Sequence, residues 1–319
     1  MAKPDPERRE TTGPGAEGAS PEATSVAGIV DQVVTLVIAV AIALAIRQFV
    51  VEPFRIPSGS MLPTLLIGDH LFVNKLAYGP RIPFTDVRLP GLREPERGDV
   101  VVFEVARPSG DRIMPVDLAP AGAPSEAFVK RLVGLPGDKL VWKNGELFVN
   151  GERLAVHATG ETFTDERGKR FGVRNEDLGA CRHAILEEPG YSDPALNKGS
   201  IVVEPGRYFM MGDNRDFSRD SREWGTVRLE ELKGPAAILY WSWDVNDNML
   251  SFFNPVNWFT AEKRWDRIFQ RVRCESVPAD APLGAGDPNA SAAAFESRSG
   301  SQSESRSHSR GPARPGSAS

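Results

Sequence analysis

The chain is poor in the residues that most often carry chemistry. Its 319 positions include four histidines and two cysteines, and no Gly-x-Ser-x-Gly sequence occurs. Cys181 and Cys274 lie far apart, with neither CxxC nor metal-ligand spacing, which excludes a disulfide scaffold. Two free thiols is the simpler expectation, and one long-range disulfide is the alternative. Excess positive charge is also missing. The formal net charge is −5, so the chain lacks the basic field that nucleic-acid binding needs, and no nucleic-acid partner is expected.

What is present divides the chain into four parts. Residues 1–25 are rich in Pro, Gly, Glu, Ala and Ser without apolar periodicity, and 277–319 are similar in character with one aromatic, Phe295. Such composition cannot offset the entropy of ordering a backbone, so both are expected to be disordered tails. Between Val33 and Ile46 only Thr35 interrupts an apolar run, which Val26 to Val30 and Phe49 to Val51 extend. This predicts a membrane anchor over 26–50, with Asp31, Gln32 and Arg47 near the interfaces because the uninterrupted stretch is shorter than the ~20 residues that cross a bilayer. No positively charged segment adjoins its start, as a cleaved leader would require. Near the run, Glu17, Glu22 and Asp31 precede it and Arg47 and Arg55 follow, so the positive-inside rule points weakly to a cytoplasmic body.

From Val51 to Cys274 short β-branched and aromatic runs alternate with turns, among them Val100 to Phe103, Phe128 to Val133, Tyr208 to Met211 and Ala236 to Trp243. The body, 51–276, is therefore read as mainly β. Lys143-Asn144-Gly145-Glu146 reads as a hairpin turn. The polar, weakly patterned stretch 151–199 reads as a smaller β subdomain inserted into the main body. Trp241, Trp243, Trp258 and Trp265 with Phe252, Phe253 and Phe259 crowd the end of the body. Core packing is the simpler reading of that cluster, and contact with a bilayer the alternative.

Three segments could carry chemistry. Ile56 to Leu65 reads IPSGSMLPTL, where Pro57 and Pro63 bracket a turn that would hold Ser60 fixed and accessible. A serine nucleophile needs a base. His308 lies in the C-terminal tail, His157 and His183 lie in the weakly patterned insert, and His70 reads as a half-exposed strand residue. A Ser/His/Asp triad therefore has little support. A neutral lysine can serve instead if burial lowers its pKa. Lys130 stands in FVKRLVGLPGD, where strand alternation places Phe128, Lys130 and Leu132 on one face and Val129, Arg131 and Val133 on the other. The bland alternative is a solvated Lys130–Arg131 pair at a strand edge. The third segment, MMGDNRDFSRDSREWG, crowds polar residues between apolar flanks. It suits either a polar network or a calcium loop, though Arg215, Arg219 and Arg222 fit poorly in a cation cage.

In this order after a single apolar run, the three segments together with RGDVVVFE at Arg97 to Glu104 resemble the signature boxes of bacterial type I signal peptidases. The resemblance covers roughly Arg47 to Glu104, Phe128 to Gly151 and Ile201 to Ile268. It implies an antiparallel signal-peptidase-like β body behind one transmembrane helix, and a serine endopeptidase that cuts pre-proteins after small residues at Ala-x-Ala-type sites. It further implies Ser60 as nucleophile, Lys130 as general base, and Ser58 with the Ser60 backbone N–H as oxyanion donors. Ser218 would orient the lysine, and Asp220 with Arg222 would fix their loop. Neither cofactor nor metal is implied, and the expected partners are pre-proteins with signal peptides and the phospholipid bilayer. The implied place is the inner membrane with the body on the periplasmic side, which outweighs the flanking charge. His70 departs from the family pattern, where an aromatic is common, and the insert lacks the close cysteine pair of some relatives.

Two other readings compete, with a calcium-binding adhesion module, whose stability a chelator would alter, as a third. A self-cleaving Ser/Lys protein like the SOS-response repressors would share the β fold but should carry a DNA-binding domain where the apolar run stands. An inactive anchored chaperone or binding module would retain the fold without the chemistry.

Overall fold

The computed structural model describes residues 26–83, 85, 87–110, 112–143, 145–191, 198–243 and 261–276. The expected tails, Asn144, Phe252, Phe253, Trp258 and Phe259 lie outside the described residues. The chain divides into two compact units, 1–44 and 45–319.

Helix α1 (Val26–Phe49) is apolar from Val33 to Ile46 apart from Thr35, with Asp31, Gln32, Arg47 and Gln48 towards its ends. Its side chains from Ile29 to Ile46 stand exposed, which suits a hydrocarbon surrounding and not a globular core. Twenty-four residues rise about 36 Å, enough to cross a bilayer. The Thr35 hydroxyl donates to the Asp31 carbonyl at 2.8 Å, so the one polar side chain inside the run is satisfied within the helix.

The body is mainly β and antiparallel. In chain order its strands are β1 (Val51–Arg55), β2 (Asp69–Asn74), β3 (Val100–Ala106), β4 (Ser125–Gly134), β5 (Lys139–Lys143), β6 (Glu146–Val149), β7 (Glu152–Arg153), β8 (Val156–Thr164), β9 (Arg170–Asp177), β10 (Cys181–Glu187), β11 (Lys198–Val202), β12 (Arg207–Met211), β13 (Val227–Arg228), β14 (Leu232–Ser242) and β15 (Glu275–Ser276). One-turn helices α2 (Lys75–Tyr78) and α3 (Ser221–Trp224) interrupt them.

A seven-stranded sheet runs β1-β2-β14-β3-β4-β12-β13. Its central strands are near-continuous apolar runs because both faces are covered. Phe103 and Leu132 pack with Met210 and Trp224 on one side, and Val102 and Val129 pack with Met61 and Leu65 on the other. Pro53 sits in β1, at the edge, where a missing N–H costs no ladder bond. A second sheet, β11-β5-β6-β7, contains the expected hairpin, with Lys143 paired to Glu146 and Gly145 at φ +77°. The third, β15-β10-β9-β8, comes from the expected insert and the C-terminal end of the body.

Two expectations are corrected here. Cys181 and Cys274 form a disulfide, with Cα atoms 5.4 Å apart. The two-residue strand β15 pairs with β10 and brings Cys274 alongside Cys181, a contact that spacing alone does not reveal. His70, expected half-exposed, is buried at 7% exposure between the rings of Tyr240 and Trp243. The described part of the aromatic cluster splits, since Trp243 is fully buried whereas Trp265 is 66% exposed.

Candidate active site

The Ser60 loop is fixed by what it buries. Ile56, Met61 and Leu65 enter the core beneath β2 and β4, while Gly59–Met61 forms a single helical turn that leaves Ser60 half-exposed. Ser58 precedes the turn in extended conformation, with its Oγ 3.5 Å from Ser60 Oγ. Two bonds from Asn214 hold the backbone from the neighbouring loop. Its N–H donates to the Ser60 carbonyl and its Nδ2 to the Gly59 carbonyl, each at 3.1 Å.

Lys130 comes from the middle of β4, held in register by Val101 of β3. Its side chain is buried, and Nζ lies 2.6 Å from Ser60 Oγ. Burial lowers the lysine pKa to about 8; Asp220 and Asp213 oppose the shift and Arg222 assists it. The surroundings explain why these carboxylates do not simply hold the ammonium charged. Arg131 forks onto Asp213 at 2.8 and 2.6 Å, Arg215 forks onto Glu176, and Arg222 forks onto Asp220 at 2.9 and 2.8 Å. Three guanidinium groups thus pair with Asp213, Glu176 and Asp220, so the two carboxylates nearest Lys130 are each committed to an arginine.

The loop after β12 is built to approach Ser60 closely. A Cβ on Gly212 would fall against Ser218 Oγ and 2.5 Å from the Ser60 carbonyl oxygen, so no other residue fits without displacing them. Asp220 caps α3, accepting from the Arg222 N–H at 3.2 Å, and also accepts from the Gly212 N–H at 3.0 Å. Burial would raise its pKa, but Arg222 and the Gly212 N–H hold it below the usual carboxylate range. Arg222 in turn donates to the Arg215 carbonyl at 2.6 Å. Ser218 is buried beside this turn, with its Oγ engaged by no hydrogen bond among the described residues.

The six expected site residues lie around the Ser60 loop, although no hydrogen bond joins Ser218 to Lys130 among the described residues, and His70 does not join them. Its Nδ1 lies 3.1 Å from the Gly68 carbonyl, and burial lowers its pKa. The Lys130–Arg131 pair is not a solvated strand edge, since both side chains are buried and face different partners. Asp213 and Asp220 are committed to guanidinium groups, which leaves the calcium reading of that loop without its principal ligands.

Sequence reasoning missed the connections behind the site. Thr64 Oγ1 donates to Asp213 at 2.5 Å and so ties the Ser60 loop to the Arg131 pair. From the insert, Glu176 takes Arg215, the Leu186 N–H donates to the Asp213 carbonyl at 2.9 Å, and buried His183 lies 3.5–3.6 Å from Glu176 and Asp213. Burial, together with Arg131 and Arg215, pushes the His183 pKa well down. No signal marked Glu176 and His183, because their partners Arg215 and Asp213 lie far away in the sequence.

A groove of about 660 Å³ opens over the dyad, with Ile56, Phe128 and Val129 on one side and Phe163 and Phe171 of the β8–β9 hairpin among its other lining residues. β12 pairs with β4 only from Arg131 onward, so among the described residues Ser125 to Lys130 have no ladder partner on that side. A groove with an open strand edge can bind an extended peptide.

A family model described as signal peptidase, peptidase S26, matches residues 29–241. Signal peptidase I of Pseudomonas fluorescens is 40% identical over 214 residues, covering 63% of this chain and 69% of that protein. Signal peptidase I of Pseudomonas aeruginosa is likewise 40% identical, over 215 residues and the same shares of each chain. Signal peptidase I of Rickettsia typhi is 32% identical over 258 residues, 73% of this chain and 90% of that protein.

Proposed function

The chain belongs to the signal peptidase family, peptidase S26, and on that footing we propose that it removes signal peptides by acyl transfer through Ser60, with neutral Lys130 as general base. The observation that carries this reading is the 2.6 Å contact between a buried lysine amine and the Ser60 hydroxyl. A lysine with a pKa near 8 is neutral in about one molecule in ten at pH 7, against fewer than about one in a thousand at its unperturbed value.

Neutral Lys130 takes the Ser60 proton as Oγ attacks the carbonyl carbon of the last residue of the signal peptide. The oxyanion then forms opposite the Ser60 N–H and the Ser58 hydroxyl, which are placed to donate as charge develops. Collapse breaks the C–N bond, and the Lys130 ammonium protonates the departing amine of the mature protein. A water, deprotonated by the same lysine, adds to the Ser60 ester and releases the signal peptide as a carboxylic acid. The proton returns to Ser60.

We place the substrate chain along the free edge of β4, at Ala127 to Val129, where main-chain pairing supplies affinity and the groove selects small side chains one and three residues before the cut. The α1 helix supports an anchored enzyme acting at a phospholipid bilayer. The Cys181–Cys274 disulfide supports a body on the periplasmic side of the inner membrane, because such bonds persist in oxidising compartments. It opposes the weak indication from flanking charge.

The test is digestion of pre-proteins by the detergent-solubilised full chain, with cut sites mapped by mass spectrometry. Cuts after Ala-x-Ala, lost when either alanine becomes leucine, are expected. Cuts indifferent to those positions would reject the assigned specificity.

A further inference from the structure

The Ser60 loop is held at two places. Asn214 holds residues 59 and 60, whereas the end of the loop is held by the segment that follows β14. Arg267 is 5% exposed, and its Nε and Nη2 fork onto Asp69 at 3.2 and 2.5 Å. The same Nη2 donates to the Thr64 carbonyl at 3.0 Å. Asp69 is fully buried, accepts from the Leu66 N–H at 2.8 Å and also accepts from the Ser242 hydroxyl at 2.6 Å. Three residues earlier, Arg264 donates from Nη1 to the Ile67 carbonyl at 2.9 Å and pairs through Nη2 with Glu166, at the tip of the β8–β9 hairpin, at 3.2 Å. Between Thr64 and Asp69, then, two carbonyls of the loop accept from the two arginines and one N–H donates to Asp69, the partner of Arg267.

Buried Met61 and Leu65 seat the loop in the core, and backbone bonds tie Gly68 to Ile56 and Trp243. The Thr64 and Ile67 carbonyls, by contrast, are held by side chains of the later segment, and a connection between strands moves where its polar groups are not fixed. Thr64 also carries the hydroxyl that meets Asp213, so displacement at Thr64 reaches the Arg131–Asp213 pair and β4, which presents Lys130. An ammonium could pair with Asp69 but could not fork onto it while also reaching the Thr64 carbonyl.

We propose that Arg267 and Arg264 are positioning residues for Ser60, so that the segment after β14 is part of the apparatus that keeps the nucleophile within reach of Lys130. This rests on the acyl-transfer reading above. The experiment uses the full chain in detergent and compares wild type with Arg267→Lys and Arg264→Lys. Three readouts are taken: melting temperature, kcat and KM on a pre-protein, and amide hydrogen exchange.

In Arg267→Lys the charge pair with Asp69 is retained and melting changes little, but kcat falls about 10²-fold with KM within about twofold, as expected when a reacting group is misplaced by about 1 Å. Exchange quickens in residues 62–68 and stays unchanged in β3 and β12. Arg264→Lys shows the same pattern, less strongly. A folded Arg267→Lys enzyme with wild-type kcat, a rise in KM alone, or exchange that quickens evenly through the sheet overturns the proposal. If Arg267→Lys does not fold, the same three readouts on Arg264→Lys decide. If wild type cuts no pre-protein, the acyl-transfer reading fails, and the exchange measurement alone judges whether the arginines hold the loop.

Discussion

Consider replacing Lys130 with methionine, which has a similar length and no charge. In the folded protein burial lowers the lysine pKa from 10.5 to about 8, so carrying the proton into the fold costs about 3 kcal/mol relative to the unfolded chain. The sign follows from proton counts. Below pH 8 both folded and unfolded chains hold the proton, and the wild type bears the whole cost. Between about pH 8 and 10.5 the unfolded chain still holds it while the folded one has released it, so wild-type stability rises with pH across that window. Methionine carries no such cost, and a swap of similar volume costs less than about 1.5 kcal/mol in packing. Lys130→Met should therefore be about 2 kcal/mol more stable than wild type at pH 7, with the gap closing towards pH 10, although it hydrolyses nothing. The assay is denaturant unfolding of the detergent-solubilised chain, followed by the fluorescence of buried Trp142, Trp224 and Trp243, at several pH values from 6 to 10. A variant less stable than wild type at pH 7, or a gap that does not change with pH, would refute the premise that burial lowers the lysine pKa.

Ser58→Ala should lower kcat about 10²-fold with little change in KM, as loss of one oxyanion donor does elsewhere; steady-state kinetics on a pre-protein check it. Gly212→Ala should lower kcat by a similar factor, because a methyl group there pushes on the Ser60 carbonyl and on Ser218, with circular dichroism confirming that the fold remains. Replacing both Cys181 and Cys274 with alanine should remove about 2–5 kcal/mol of stability, read from melting curves with and without reductant. Wild type in reductant should then melt where the double variant melts.

The site was legible where chemistry is local and hidden where it is long-range. The bracketing prolines of the Ser60 turn and the alternation in FVKRLV made Ser60 and Lys130 candidates, but their roles came from the ordered resemblance of three segments to the signal-peptidase boxes. The apolar run of α1 also announces itself. By contrast, Arg131 and Asp213 are 82 residues apart, and nothing in either local sequence points to the other. The Cys181–Cys274 bond depends on a strand two residues long. His70 read as half-exposed, yet β2 lies between β1 and β14, and Tyr240 and Trp243 close over its ring. The stretch holding β8 was weakly patterned for a physical reason. No residue of that strand is fully buried, so selection for an apolar face is weak. That same sheet nonetheless supplies Glu176 and His183 behind the Ser60 loop, and the hairpin tip that meets Arg264.

The most direct measurement is kcat/KM on a pre-protein with an Ala-x-Ala site for wild type, Ser60→Ala, Lys130→Ala and His70→Ala. Activity in wild type and His70→Ala, with none in the other two, is the predicted result. Cleavage that survives Lys130→Ala, or that is lost only in His70→Ala, would contradict the Ser60–Lys130 assignment.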